Sequence, residues 1–196
     1  MQHGESSGDL ALDRLVFFSD AVFAIAITLL VLEIEIPELP SHPDIPGSWQ
    51  ALKALIPSFF AFALSFLVIG RFWMGHHERY RSLRHYDPRL MWPNLLYLMA
   101  IAFMPFATAF LGRNLGHFVP ALIYNLAMLV LSLLAVWLAR CIRKVGGGGV
   151  RHDGLDIVLA ALVCVGLTFV FPLLSQWGMI TVPLWSWVER RLFAGG

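Results

Sequence analysis

A carboxylate sits inside the first stretch of this chain that is long enough to cross a membrane. Residues 15–36 form an apolar run of 22 residues, about 33 Å as an α-helix against a bilayer core of about 30 Å. Asp20 lies one turn into that run. A carboxylate at the centre of a membrane helix costs roughly 2.5–3.5 kcal/mol on insertion scales, and less near the interface. Asp20 must therefore face protein or water, and it needs a partner.

The rest of the sequence agrees with a membrane setting. Of the 196 residues 58% are hydrophobic and only 14% charged, with a mean hydropathy of +0.71, far more apolar than a soluble domain of this size. The formal charge of +1 and the lack of a basic face give no sign of a nucleic-acid partner. Residues 1–13 are polar and acidic, without a basic leader or a cleavage site, so the first helix is expected to serve as its own insertion signal. Cys141 and Cys164 have neither a disulfide pattern nor a metal-ligand spacing and are expected to be free thiols.

Helices are expected at about 15–36, 49–75, 90–111, 118–139, 155–171 and 173–190, in one membrane domain covering residues 1–196. Proline-rich residues 37–48 separate the first two, and Pro105 should kink the third. Gly146 to Gly149 make a flexible linker. The apolar region 155–188 is too long for one span and slightly short for two; Pro172, Ser175, Gln176 and Gly178 near its middle favour two short helices. With six spans and both termini cytoplasmic, the inner side collects Arg14, Arg71, Arg79, Arg81, Arg84, Arg89, Arg140, Arg143, Lys144, Arg151, Arg190 and Arg191. Only Lys53 and Arg113 fall outside, a distribution that follows the positive-inside rule.

Enzymatic motifs are missing where they would be sought. His77-Glu78 opens like a zinc-binding HExxH, but Arg81 stands where the second histidine belongs, and His76 points about 100° away from His77. The tetraglycine lacks the Lys-Ser/Thr of a phosphate loop, and no GxSxG occurs. No catalytic residue, cofactor or resident metal is expected.

On the first helix Ile25, Thr28, Leu29, Leu32 and Ile36 share one face. Asp20 is about 140° round from Ile25, and Ser19 about 120° the other way. Polar groups packed among helices leave the opposite aliphatic face free for a central axis, although the same stripe also fits lipid or a neighbouring helix. Glu33, Glu35 and Glu38 gather where the helix emerges, unfavourably for its dipole. They form either a solvated rim or a ring of carboxylates that concentrates cations at a pore mouth.

Arg14, Phe18, Ser19 and Asp20 also spell RxxxFSD. This resembles the signature that opens the first helix of the transmembrane protein 175 family of potassium channels, in its short prokaryotic form. Trp73, His76, His77, Asp87, Asn94-Leu95-Leu96 and Phe103-Met104-Pro105-Phe106 are similar to the family's further pattern, so the resemblance covers roughly the first 110 residues. It implies a potassium-permeable homotetramer in the plasma membrane, with first helices around a central axis and no reentrant filter. Ile25 would be the narrowest hydrophobic ring, with Leu29 and Leu32 as further rings. Thr28 would be a hydroxyl layer favouring K+, unless its hydroxyl simply bonds the Ala24 carbonyl. Arg14, Phe18, Ser19 and Asp20 would tie the first helix to Trp73, His77 and Asn94. Permeating K+ and the lipid bilayer are the only other partners implied.

Two other classes remain open from the sequence. In a proton-coupled secondary transporter, Asp20, His77 and Asp156 would be the titrating groups, though the chain lacks the internal duplication of many transporters. A non-conducting membrane scaffold is the third.

Overall fold

The computed structural model describes residues 7–35, 37, 45–83, 85–146 and 154–181. The chain runs as α1 (Ser7–Leu32), α2 (Ile45–Ala54), α3 (Ile56–Arg81), a 3-10 turn (Pro88–Leu90), α4 (Met91–Arg113), α5 (Phe118–Lys144), α6 (Leu155–Thr168) and a 3-10 segment (Pro172–Thr181). Ile36, Glu38, Arg84, Arg151, Arg190 and Arg191 lie outside the described residues.

Helix boundaries follow local chemistry. The first helix starts ahead of the apolar run, since its polar lead-in contains no proline, and stops at Leu32, leaving Glu33 and Glu35 just beyond its end. The second apolar stretch is broken: Pro57, in the first turn of α3, has no N–H to continue a helix from α2, and the chain turns at Leu55. Pro105 lies inside an unbroken α4.

Side-chain contacts fix the helix directions. Asn94 near the start of α4 bonds Ser19 of α1, and Arg113 at the end of α4 meets Glu33 and Glu35 beyond the end of α1, whereas His76 late in α3 meets Asn94 and the earlier Ser65 meets Thr108 late in α4. Hence α1 runs parallel to α4 and antiparallel to α3. The rings of Phe118, opening α5, and Phe169, just past α6, lie 5.4 Å apart, so these two helices are antiparallel as well. Among the described residues, one end of the bundle thus carries Arg14, Arg71, Arg79, Arg81, Arg89, Arg140, Arg143 and Lys144, and the other Lys53 and Arg113.

Four described stretches are long and apolar enough to span a bilayer: Leu10–Leu32, Ile45–Arg81, Pro88–Arg113 and Phe118–Lys144. The last region departs from expectation. In place of a helix at 155–171, α6 has 14 residues, about 21 Å, short of a bilayer core. In place of an α-helix from 173, the described part is the 3-10 segment Pro172–Thr181, and residues 182–190 lie outside the described residues. Pro172 supplies no N–H and disfavours helical backbone at Phe171, which ends α6. The segment then folds back on α6: a Cβ placed on Gly178 would stand 2.7 Å from Cys164 Sγ. Cys141 and Cys164 are unpaired thiols.

Lipid tails are as apolar as leucine, so packing and interhelical hydrogen bonds hold such a bundle. Two buried clusters serve this purpose. Thr108 and Tyr124 meet Ser65 at 2.7 and 3.0 Å, joining α3, α4 and α5. The Asn125 amide donates to Thr168 Oγ1 at 2.8 Å and Ser175 Oγ at 3.0 Å, joining α5 to α6 and the 3-10 segment.

Candidate functional site: the two faces of the first helix

The inward face of α1 is a single stripe, Leu15, Ser19, Phe23, Ala26 and Leu30, all buried, in helical steps of three and four. Ser19 is its polar member. Its hydroxyl donates to the Leu15 carbonyl at 2.8 Å and accepts from Asn94 Nδ2 of α4 at 2.9 Å. The Asn94 Oδ1 in turn meets His76 Nε2 of α3 at 2.9 Å. Because the Asn94 oxygen can only accept, His76 donates from Nε2, which fixes its neutral tautomer. The His76 ring is buried against Tyr97, stacked parallel at 5.6 Å, and Tyr80 at 4.5 Å, with Phe23 at 5.5 Å.

Asp20 takes a separate partner: Trp73 Nε1 of α3 donates to its Oδ1 at 2.9 Å. The expectation for His77 requires correction. It is exposed, with its ring 5.9 Å from Trp73, and the partner of Asn94 is its neighbour His76. Arg14 and Phe18 are exposed and belong to the outward face. Asp87 caps the turn before α4, accepting from the Arg89 backbone N–H at 2.8 Å and from its guanidinium at 2.7 Å. Those bonds hold its carboxyl below the usual carboxylate range.

The outward face carries Ile25, Thr28, Leu29 and Leu32. Ile25 is 58% and Leu32 75% exposed, uncovered surface on the helix that also presents Ser19 and Asp20 to its neighbours. The Thr28 hydroxyl lies 2.9 Å from both the Ala24 and the Ile25 carbonyl oxygens. Its proton therefore points back into its own helix, and the lone pairs of Oγ1 point outward, the side a cation requires.

Beyond Leu32, Glu35 and Glu33 meet the Arg113 guanidinium at 3.1 and 3.6 Å. The acidic end of α1 thus has a counter-charge brought by α4, which the sequence reading did not pair with it. Nothing in the linear spacing signals the pairing, since the partners are 78 to 80 positions apart. Glu38 lies outside the described residues.

Comparison with known proteins follows the same residues. The family model described as endosomal/lysosomal potassium channel TMEM175 matches residues 14–105, from the start of the motif to Pro105. A crystal structure of a lysosomal potassium-selective channel TMEM175 homolog from Chamaesiphon minutus superposes with a TM-score of 0.75 at 31% identity, covering 90% of this chain and 96% of that one. The chain belongs to the TMEM175 family. A Streptomyces collinus protein named as a potassium channel is 44% identical over 131 residues, 63% of this chain and 62% of its own length. A mouse TMEM175, named as an endosomal/lysosomal proton channel, is 32% identical over 103 residues, 50% of this chain and 21% of the mouse protein. TMEM175 is a family of ion channels, not of enzymes, and with its apolar helices this member is a multi-pass membrane protein.

Proposed function

We propose that this TMEM175 member is the subunit of a potassium-permeable cation channel in the cell membrane. Four copies surround a central axis lined by α1. Six spans with both termini in the cytoplasm are part of this reading, supported by the concentration of basic residues at one end of the bundle among the described residues. One observation carries the reading: α1 turns Ser19 and Asp20 of the motif to its neighbours and leaves an aliphatic face, interrupted by one hydroxyl layer, without cover.

In that assembly Ile25 forms the narrowest ring, and Leu29 and Leu32 form further rings toward the outer mouth. Such a ring gates by wetting, because an ion cannot cross without its hydration shell while four isoleucines exclude water. Thr28 supplies the oxygen layer, its lone pairs directed at the axis. K+ passes as substrate, and no cofactor or resident metal takes part. Glu33, Glu35 and Glu38 form the acidic outer mouth.

The test is ion flux in liposomes containing the purified protein, with K+ compared with Na+ and H+. Conductive, voltage-driven flux that favours K+ is expected, and Ile25→Asn should raise the leak about tenfold or more by wetting the constriction. Unchanged flux in Ile25→Asn would remove α1 from the pore. Slow, saturable, proton-driven uptake would favour the transporter, and absence of flux the scaffold.

A further inference from the structure

We propose that Arg113 sets the cation-concentrating strength of the pore mouth, as the fixed counter-charge of Glu33 and Glu35. The inference rests on the channel reading and goes beyond it, since it assigns a rate-setting role to a residue on α4, a helix that does not line the proposed axis. The guanidinium lies 3.1 Å from Glu35 Oε1 and 3.6 Å from Glu33 Oε2, and 3.5 Å from the Glu33 carbonyl oxygen. It therefore meets both carboxylates and the C-terminal end of α1 together.

All three side chains are partly open to solvent. Exposed pairs of this kind add little to stability, so the main effect of the arrangement lies in the field it creates. Each subunit brings two carboxylates and one guanidinium to this point. Their sum is one negative charge, and it doubles when the arginine is neutralised. A tetramer repeats the change four times around one opening, where a ring of like charge raises the local cation concentration. Arg113 accordingly damps the mouth rather than closing it, and holds the rate of entry below what the carboxylates alone would support.

Solution ions reveal such a field, because its reach is about 30 Å at 10 mM salt and about 3 Å at 1 M. Single-channel K+ conductance is measured in neutral-lipid bilayers at both concentrations. Arg113→Gln should conduct about twofold more than the wild type at 10 mM and about equally at 1 M. Arg113→Lys, which keeps the charge, should match the wild type at both. Glu35→Gln should conduct less at 10 mM only, and it tests the field even if Arg113→Gln fails to assemble. Variants that change conductance by the same factor at both concentrations, or not at all, would overturn the proposal and leave Arg113 a tie between helices. A wild type that conducts without these differences defeats this inference alone, whereas a wild type that does not conduct defeats the channel reading and the inference with it.

Discussion

Asn94 is the residue through which three helices are joined: its amide donates to Ser19 on α1 and its carbonyl accepts from His76 on α3. Asn94→Leu keeps most of the volume and leaves the His76 N–H buried without an acceptor. Such an orphan costs about 1–3 kcal/mol, while hydrogen bonds inside membrane proteins average about 0.6 kcal/mol and reach about 1.7. A loss of about 1–2 kcal/mol is expected, read as a lower melting temperature of the detergent-solubilised protein. Trp73→Phe removes only the half-exposed bond to Asp20 and should cost about half as much. At this scale the sequence was legible in part. Asp20 announced a partner because a lone carboxylate in a span is costly, and the motif pointed to Trp73 and Asn94. The error of one position at His77 had a readable remedy. The buried stripe of α3 runs Ala61, Ser65, Ile69, Phe72, His76 and Tyr80, steps of three and four that include His76 and pass over its neighbour.

Among the elements, α3 and α4 pack tightly at Gly112, where an added Cβ would lie 3.1 Å from the Ser58 Cα and 3.3 Å from the Ala61 Cβ. Small residues at such crossings allow the backbone contact that replaces the hydrophobic effect in lipid. Gly112→Val should therefore push the helices apart at a cost of about 1–3 kcal/mol. Gly70→Val on α3, where an added Cβ would meet nothing within 4 Å, serves as the control and should melt close to the wild type. Apolar length made the four long spans readable, because crossing hydrocarbon demands it. Pro57 was visible, but not the turn at Leu55. The 3-10 segment was illegible for a physical reason: hydropathy reports what a segment is soluble in and is silent on which carbonyl each N–H selects. The clue was Asn125, whose amide binds this segment from α5, and a lone asparagine does not name its partners.

For the molecule as a whole, α1 is the element that the proposed tetramer would bring together at its axis. Phe17 and Leu32 are among its most exposed side chains, at opposite ends of one uncovered surface. A protein mass of four times the 22.0 kDa chain, measured by light scattering with the detergent contribution subtracted, is the expected result. A conducting monomer would overturn the assembly proposed above. Linear sequence cannot state this directly: lipid and a neighbouring subunit select the same apolar side chains, so the uncovered face becomes informative only once the rest of the helix is seen to be occupied.

The line of bonds from His76 through Asn94 and Ser19 runs to the carbonyl of Leu15, and every proton along it points the same way. A proton wire needs a receiver that can accept at one side and release at the other. A peptide carbonyl does not, and an amide side chain in the middle would have to pass through a high-energy imidic form. Traffic entering at the imidazole would meet a dead end, which makes this buried polar line an insulator and a latch on the opposite side of α1 from the face proposed to line the pore.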